Sequence, residues 1–222
     1  MSITSFVKNK IISALPDIPK DYSKNDIYVI SYPRSGNTWL RFMLGCYLLD
    51  RQISFKELED ILPSIKKGRK LPSSTYISPS KARFIKSHSI SGYYRNVIYI
   101  IRRPKKTMQS YYKFMSQGLG RYNGSYAKFF RSKIVEWADH IKYYAPKANL
   151  ILHYEDMREN PGEALRQVLK YSKIDISEDK IARAIKNSSL EEMQKVDRSD
   201  NKSWRHPKMA KEGYDFIGQG EI

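Results

Sequence analysis

The chain is poor in cysteine, in acidic residues and in long apolar runs. Its one cysteine, Cys46, forms no intrachain disulfide and no cysteine-type zinc site. It falls within an apolar helical stretch and reads as a small core residue. A reducing, cytoplasmic setting is therefore expected. No run spans a membrane, and none has the form of a signal-peptide core. No internal repeat or domain boundary is visible, so the 222 residues are expected to form a single domain with one sizeable core. Asp and Glu number 23 against 40 Lys and Arg, a net charge of +17. That imbalance points to anionic ligands, nucleic acid or acidic membrane surfaces without choosing among them. The Walker A pattern is missing too: the phosphate-loop candidate has one glycine and no Gly-Lys pair.

What is present is organised around residues 26–49. Ile27, Tyr28, Val29 and Ile30 read as a buried strand. Tyr32-Pro33-Arg34-Ser35-Gly36-Asn37-Thr38 follows as a tight turn, and from Trp39 the apolar spacing becomes helical through Leu40, Met43, Leu44, Tyr47 and Leu48. Strand, small polar turn and helix together build an anion site, because the first N–H groups and the dipole of the helix favour negative charge. Arg34 adds a fixed cation, and Ser35 and Thr38 add hydroxyl donors. The plainer alternative is a capped helix after a buried strand.

Before this unit, Ile3, Phe6, Val7, Ile11, Ile12 and Leu15 mark an amphipathic helix over 2–15, stopped by Pro16. It is expected to pack over the domain edge, with contact of Lys8 and Lys10 to a membrane surface as the alternative. After it come a short helix from Phe55 to Leu62, a long Lys-, Ser- and Pro-rich loop over 64–81, and strands at 82–86 and 96–101. Pro104 opens a helix to about Ser116, a glycine-rich loop spans 117–125, and a helix runs over 126–144. A strand at 149–153 and helices from Pro161 and Glu178 complete the pattern, and 197–222 reads as irregular. The alternation predicts an α/β fold with a mainly parallel sheet flanked by helices.

Parallel sheets bind ligands beyond the C-terminal ends of their strands. Three strands end in notable groups: Arg34-Ser35-Gly36, Lys86-Ser87-His88 and Arg102-Arg103-Pro104. Each alone reads as solvated charge or a structural histidine; together at one sheet edge they predict one anionic site.

The residues Tyr32 to Trp39 resemble the 5′-phosphosulfate loop of the sulfotransferase family, usually Tyr-Pro-Lys-Ser-Gly-Thr-Thr-Trp, with Arg34 for the Lys and Asn37 for the first Thr. The resemblance implies a three-layer, P-loop-like fold similar to nucleotide kinases. It also implies the co-substrate 3′-phosphoadenosine 5′-phosphosulfate (PAPS), the product adenosine 3′,5′-bisphosphate (PAP), and no metal. Lys86-Ser87-His88 is similar to the family's Lys-Thr-His, which makes His88 the catalytic base with Lys86 and Arg34 as charge stabilisers. The segment from Ile98 to Phe114 resembles the 3′-phosphate segment, whose Arg and Ser correspond to Arg102 and Ser110. Tyr154-Glu155-Asp156-Met157 is similar to a stretch whose tyrosine lies near the adenine, and Ser188–Met193 places Leu190 on the base. Trp39 is given an adenine contact by the same resemblance, with plain core packing as an even alternative. Glu57 and Glu59 are reserve bases, after relatives that use a carboxylate.

The resemblance runs over residues 26–193. It departs at the C-terminus, where Phe216 to Ile222 lacks the family's Arg-Lys-Gly phosphate contact. Arg103, Lys105 or Arg205 is expected to substitute, in a chain that is either naturally short or truncated. The acceptor is expected to be a small molecule or a saccharide bearing a hydroxyl or amine, met by loops 64–81 and 117–125. Lys66, Lys67, Arg69, Lys70 and Arg121 favour a polar acceptor, unless they are a solvated face. The rivals are a P-loop nucleotide phosphotransferase, which needs Mg²⁺ ligands and a loop lysine that are not found, and a nucleic-acid-binding protein exploiting the charge and seventeen tyrosines. Nucleic acid is the disfavoured partner, and nothing in the sequence sets an oligomeric state.

Overall fold

A computed structural model describes residues 18–65, 68–199 and 217. The N-terminal helix expected over 2–15, Lys66, Lys67, Arg205 and nearly all of the expected irregular C-terminal segment lie outside the described residues. Four strands form one parallel sheet: β1 (Ile27–Ser31), β2 (Phe84–Ser87), β3 (Asn96–Ile101) and β4 (Leu150–His153), in the order β2-β1-β3-β4. All five residues of β1 are buried, as befits the centre of a sheet covered on both faces.

The alternation of β1 separates two apolar clusters. Ile27 and Val29 join Phe84, Ile98, Ile100 and Leu152 beneath α1 (Asn37–Leu49), α2 (Phe55–Ile61), α6 (Pro161–Tyr171) and α7 (Glu178–Asn187). Tyr28 and Ile30 join Ile85, Val97 and Tyr99 on the other face, where Tyr144 ends α4 (Tyr126–Tyr144). The result is the α/β arrangement that the strand and helix pattern predicts, a parallel sheet flanked by helices, in the three layers that the resemblance implies.

Between these lie α3 (Pro104–Lys113), extended by a π-helical turn at Phe114–Gly118, and two helices the sequence pattern did not show, α5 (Tyr154–Glu159) and α8 (Leu190–Ser199). Residues 88–95 join β2 to β3 without a helix, crossing the face of β1. Tyr94 in this connection stacks on Tyr28 with ring centroids 4.1 Å apart, and its hydroxyl donates to Ser87 Oγ at 3.0 Å. The chain leaves β1 toward β2 on one side and returns to β3 on the other. The C-terminal end of β1 is therefore the switch point where a parallel sheet opens a crevice.

Candidate active site

The turn after β1 is shaped by left-handed backbone at Arg34 (φ 68°) and Gly36 (φ 101°). Such turns aim successive N–H groups to one side and make anion-binding concavities. The first helical bond of α1 runs from Leu40 N–H to the Gly36 carbonyl, so the N–H groups of Asn37, Thr38 and Trp39 precede the helix ladder. The first turn of α1 carries no acidic residue and no side-chain cap, which leaves its dipole for an anion. A β-carbon on Gly36 would lie 2.5 Å from Tyr154 Cδ2. Ser35 Oγ is buried with no hydrogen-bond partner among the described residues.

Strand register explains what converges here. Ile30 pairs with Ser87, so the next residues, Ser31 and His88, are level. His88 Nδ1 lies 2.7 Å from the Ser31 carbonyl, which makes Nδ1 the protonated nitrogen and leaves Nε2 as a lone-pair acceptor. His140 of α4 braces the same turn: its Nε2–H donates to the His88 carbonyl at 3.2 Å, and its Nδ1 accepts from Tyr99 at 2.8 Å. Likewise Ile101 pairs with His153, which brings Arg102 level with Tyr154. The Arg102 guanidinium lies over the Tyr154 ring at 4.2 Å and donates from Nη1 to the Arg34 carbonyl at 3.0 Å. Arg102 Nε is buried without a hydrogen-bond partner among the described residues. Arg34 reaches α3, donating from Nε to Ser110 Oγ at 3.2 Å, with its guanidinium 5.1 Å from the Phe114 ring.

The electrostatics follow from burial and crowded cations. Burial and the Lys86 charge hold His88 at about 3, against the hydrogen bond to Ser31, which favours protonation. The ring is neutral throughout the physiological range. Burial and the Arg41 charge bring the half-buried Lys86 down to about 8, opposed by Glu59 and assisted by Arg34.

Arg34, Ser35, Gly36, Arg102, Ser110 and Tyr154 thus form one connected group, with Lys86 and His88 at the neighbouring strand end. Trp39 flanks it: the indole N–H donates to the Ser188 carbonyl at 3.1 Å, and the ring meets Tyr154 edge-on at 5.9 Å. It packs partly on the core, so both readings of Trp39 have a structural basis. Leu190 opens α8 nearby and is exposed. Thr38 is half-buried in the first turn of α1. Asn37 differs from expectation, because its side chain turns inward and donates to the Val29 carbonyl at 2.9 Å. It offers the cradle its backbone N–H and not its amide.

Glu57 and Glu59 do not have the surroundings of bases. Glu57 closes a capping box with Ser54 and pairs with Arg51 at 2.5 Å, which holds it at about 2. Glu59 is also held at about 2; burial would raise it, but Arg41 and Lys86 prevail. The backbone around Arg69 and Lys70 is tied elsewhere, with both side chains exposed. Arg69 accepts from Lys20 N–H, and Leu71 N–H donates to Asp21, whose partner Arg83 also binds Asp26. Since Asp26 precedes β1, this part of loop 64–81 lies toward the N-terminal ends of the strands, away from His88. Arg103 and Lys105 are exposed at the start of α3.

Sequence reasoning missed Arg41 and His140. Arg41 is almost wholly buried, and a lone cation within the apolar stretch 39–49 was the signal for it. His140 had none beyond its residue type. Among the described residues no helix is long and apolar enough to cross a membrane, and no group of three His, Cys, Asp or Glu is placed to hold a metal ion.

Comparison with known proteins adds a family to this geometry. Mouse sulfotransferase 1 family member D1 is 28% identical, aligned over 86% of this chain and 72% of its own length. A rabbit amine sulfotransferase is 23% identical over 85% of this chain and 69% of its own. Among solved structures, a mouse sulfotransferase complexed with PAP superposes with a TM-score of 0.62 at 18% identity, covering 98% of this chain and 82% of that one. A retinol dehydratase in a complex with retinol and PAP gives 0.65 at 18% identity, covering 98% and 79%. The sulfotransferase domain model matches residues 24–222, and with that span the chain belongs to the sulfotransferase domain family.

Proposed function

We propose that the enzyme transfers a sulfuryl group from PAPS to the hydroxyl or amine of an acceptor. The observation that carries this reading is the pair of orphaned donors, Ser35 Oγ and Arg102 Nε, at a turn packed so closely on Tyr154 that Gly36 has no room for a β-carbon. Buried polar groups are normally satisfied, and these two fit the oxygens of an anionic nucleotide. Arg34, Ser35 and the N–H groups of Gly36, Asn37, Thr38 and Trp39 would hold its 5′ end. Arg102 and Ser110 would hold the 3′-phosphate, and Trp39, Tyr154 and Leu190 would flank the base.

When bound, PAPS supplies the sulfuryl group and an anionic leaving group. The chain's own residues do the rest by position and charge. His88 Nε2 takes the acceptor proton. A neutral ring this weakly basic does not ionise an alcohol beforehand, so the proton moves as the new bond forms. Arg34 is a permanent cation and stabilises charge without giving a proton. Lys86 serves the same end below about pH 8.

For the acceptor we propose a saccharide. Arg69 and Lys70 give this no support, and among the described residues Arg121 remains from the basic set. Further support comes from Tyr32, Tyr111, Tyr112, Tyr122 and Tyr126, which the buried Phe129 joins into an aromatic shelf from His140 to the start of α4. Such rings present an apolar body with a polar tip. Transfer from PAPS to a panel of glycans, phenols, apolar alcohols and amines tests it, and turnover confined to apolar alcohols or phenols rejects the saccharide. The donor is tested by thermal shift: PAP raises the melting temperature well above AMP, ATP or single-stranded DNA. Equal shifts for PAP and AMP reject the 3′-phosphate clamp.

A further inference from the structure

Behind Lys86 lies a network that the transfer reaction does not itself use, with Arg41 buried and Glu59 about a third exposed. Arg41 on α1 donates from Nη2 to Glu59 Oε1 at 2.9 Å, and from Nε (2.9 Å) and Nη2 to the Leu62 carbonyl. Glu59 on α2 accepts in turn from Ser64 N–H and Ser64 Oγ, both at 3.0 Å. Ser64 forms an isolated parallel bridge with Lys86, where Lys86 N–H donates to the Pro63 carbonyl and Ile65 N–H to the Lys86 carbonyl, each at 2.9 Å. One carboxylate therefore fastens two helices to the strand edge that carries Lys86.

The charges facing the Lys86 ammonium are Arg41 from α1, Arg34 from the turn after β1 and Glu59 from α2, with His88 next along its own chain. Two of the three facing ions are cations and repel it. We propose that Glu59 is a positioning residue for sulfuryl transfer: it locks the Lys86 strand edge through Arg41 and Ser64, and its carboxylate offsets the cationic crowding around the Lys86 ammonium. The inference rests on the preceding assignment of Lys86 to the anionic end of the site. Its direction agrees with the ionisation of the two groups, since Glu59 alone among the facing charges favours the Lys86 cation. A carboxylate held at about 2 is in no position to act as a base, but it is fully charged at every working pH.

The test is Glu59→Gln, read in two ways. Competitive acetylation across pH, followed by mass spectrometry of the Lys86 peptide, reports that amine's ionisation without any nucleotide. The midpoint is expected to fall by about one pH unit, a tenfold change in the ionisation constant, while Lys106 and Lys142 keep theirs. The pH profile of kcat/KM with PAPS is expected to lose its alkaline side earlier. Activity at pH 8 then falls about fivefold and that at pH 6.5 less than twofold. An unchanged Lys86 midpoint, or a loss of activity equal at all pH values, overturns the inference. Should Glu59→Gln not fold, Glu59→Asp under the same labelling decides. Drawing the carboxylate back by one methylene lowers the midpoint part of the way, and no movement overturns the idea. Failure of the wild type to bind PAP would overturn the donor assignment instead, and the labelling titration would still judge Glu59.

Discussion

Gly36→Ala tests the cradle where its geometry is tightest. The residue sits at φ 101°, and an added Cβ would lie 2.5, 3.1 and 3.7 Å from Tyr154 Cδ2, Cε2 and Cγ. The left-handed backbone alone costs alanine about 1 kcal/mol. Tyr154 must also move, which disturbs its cation–π contact with Arg102 at 4.2 Å, worth about 0.5–2 kcal/mol, and its edge contact with Trp39, worth about 0.5–1.5 kcal/mol. The expected loss is about 2–4 kcal/mol, shared between urea stability and PAP affinity measured by calorimetry. A double-mutant cycle separates the parts. In a Tyr154→Ala background the steric share vanishes, and Gly36→Ala then costs only the backbone strain of about 1 kcal/mol. An equal cost in both backgrounds would refute the clash with Tyr154.

Stability should fall in mild acid. Folded His88 and His140 resist protonation down to about 3 and about 4, whereas an unfolded ring titrates near ~6.5. Their contribution is therefore complete above about pH 6.5 and is lost as pH falls toward the folded values, amounting to about 4 kcal/mol between pH 7 and pH 5. Urea midpoints at the two pH values measure it, His140→Asn should remove about half, and a pH-independent midpoint would show that the rings are not buried neutral. Arg102→Ala should weaken PAP by about 1.5–3 kcal/mol and cost the cation–π contact with Tyr154, about 0.5–2 kcal/mol of stability, while AMP binding falls much less; equal losses for both nucleotides would move the 3′-phosphate elsewhere. PAP should quench tryptophan fluorescence in the wild type and much less in Trp39→Leu, and an identical response in both would leave Trp39 as packing.

The sequence was most readable where local pattern and global position agree. The apolar run Ile27 to Ile30 is a central strand because both its faces are covered, and Pro104 opens α3 because its missing N–H is needed by nothing there. Residues 126–144 are helical with the expected bounds. The α8 helix was missed because its sequence is dominated by charge, with Met193 and Asp197 its buried residues. The strand-end groups were legible through the rule that parallel sheets bind at their C-terminal edge. The places of Arg41 and His140 were not, because each bonds partners 18 to 52 residues away, and Glu59 stood out only as a reserve base. Arg69 and Lys70 show the opposite error: a basic loop has no address in the sequence, and this one is held at the far end of the sheet.

The helix-free connection over residues 88–95 bears on how this enzyme tolerates sequence change. Surface loops usually absorb insertions at little thermodynamic cost. This one starts at His88, is pinned by the Tyr144 hydroxyl to Ser89 and Ser91 at 2.6 and 3.1 Å, and presses Tyr94 onto Tyr28. Lengthening it by a residue would leave the strands able to pair yet let the histidine drift from the Ser31 carbonyl. In a library of single-residue insertions, this stretch should yield soluble, folded protein without turnover, whereas insertions in the exposed stretch 72–74 should be far better tolerated.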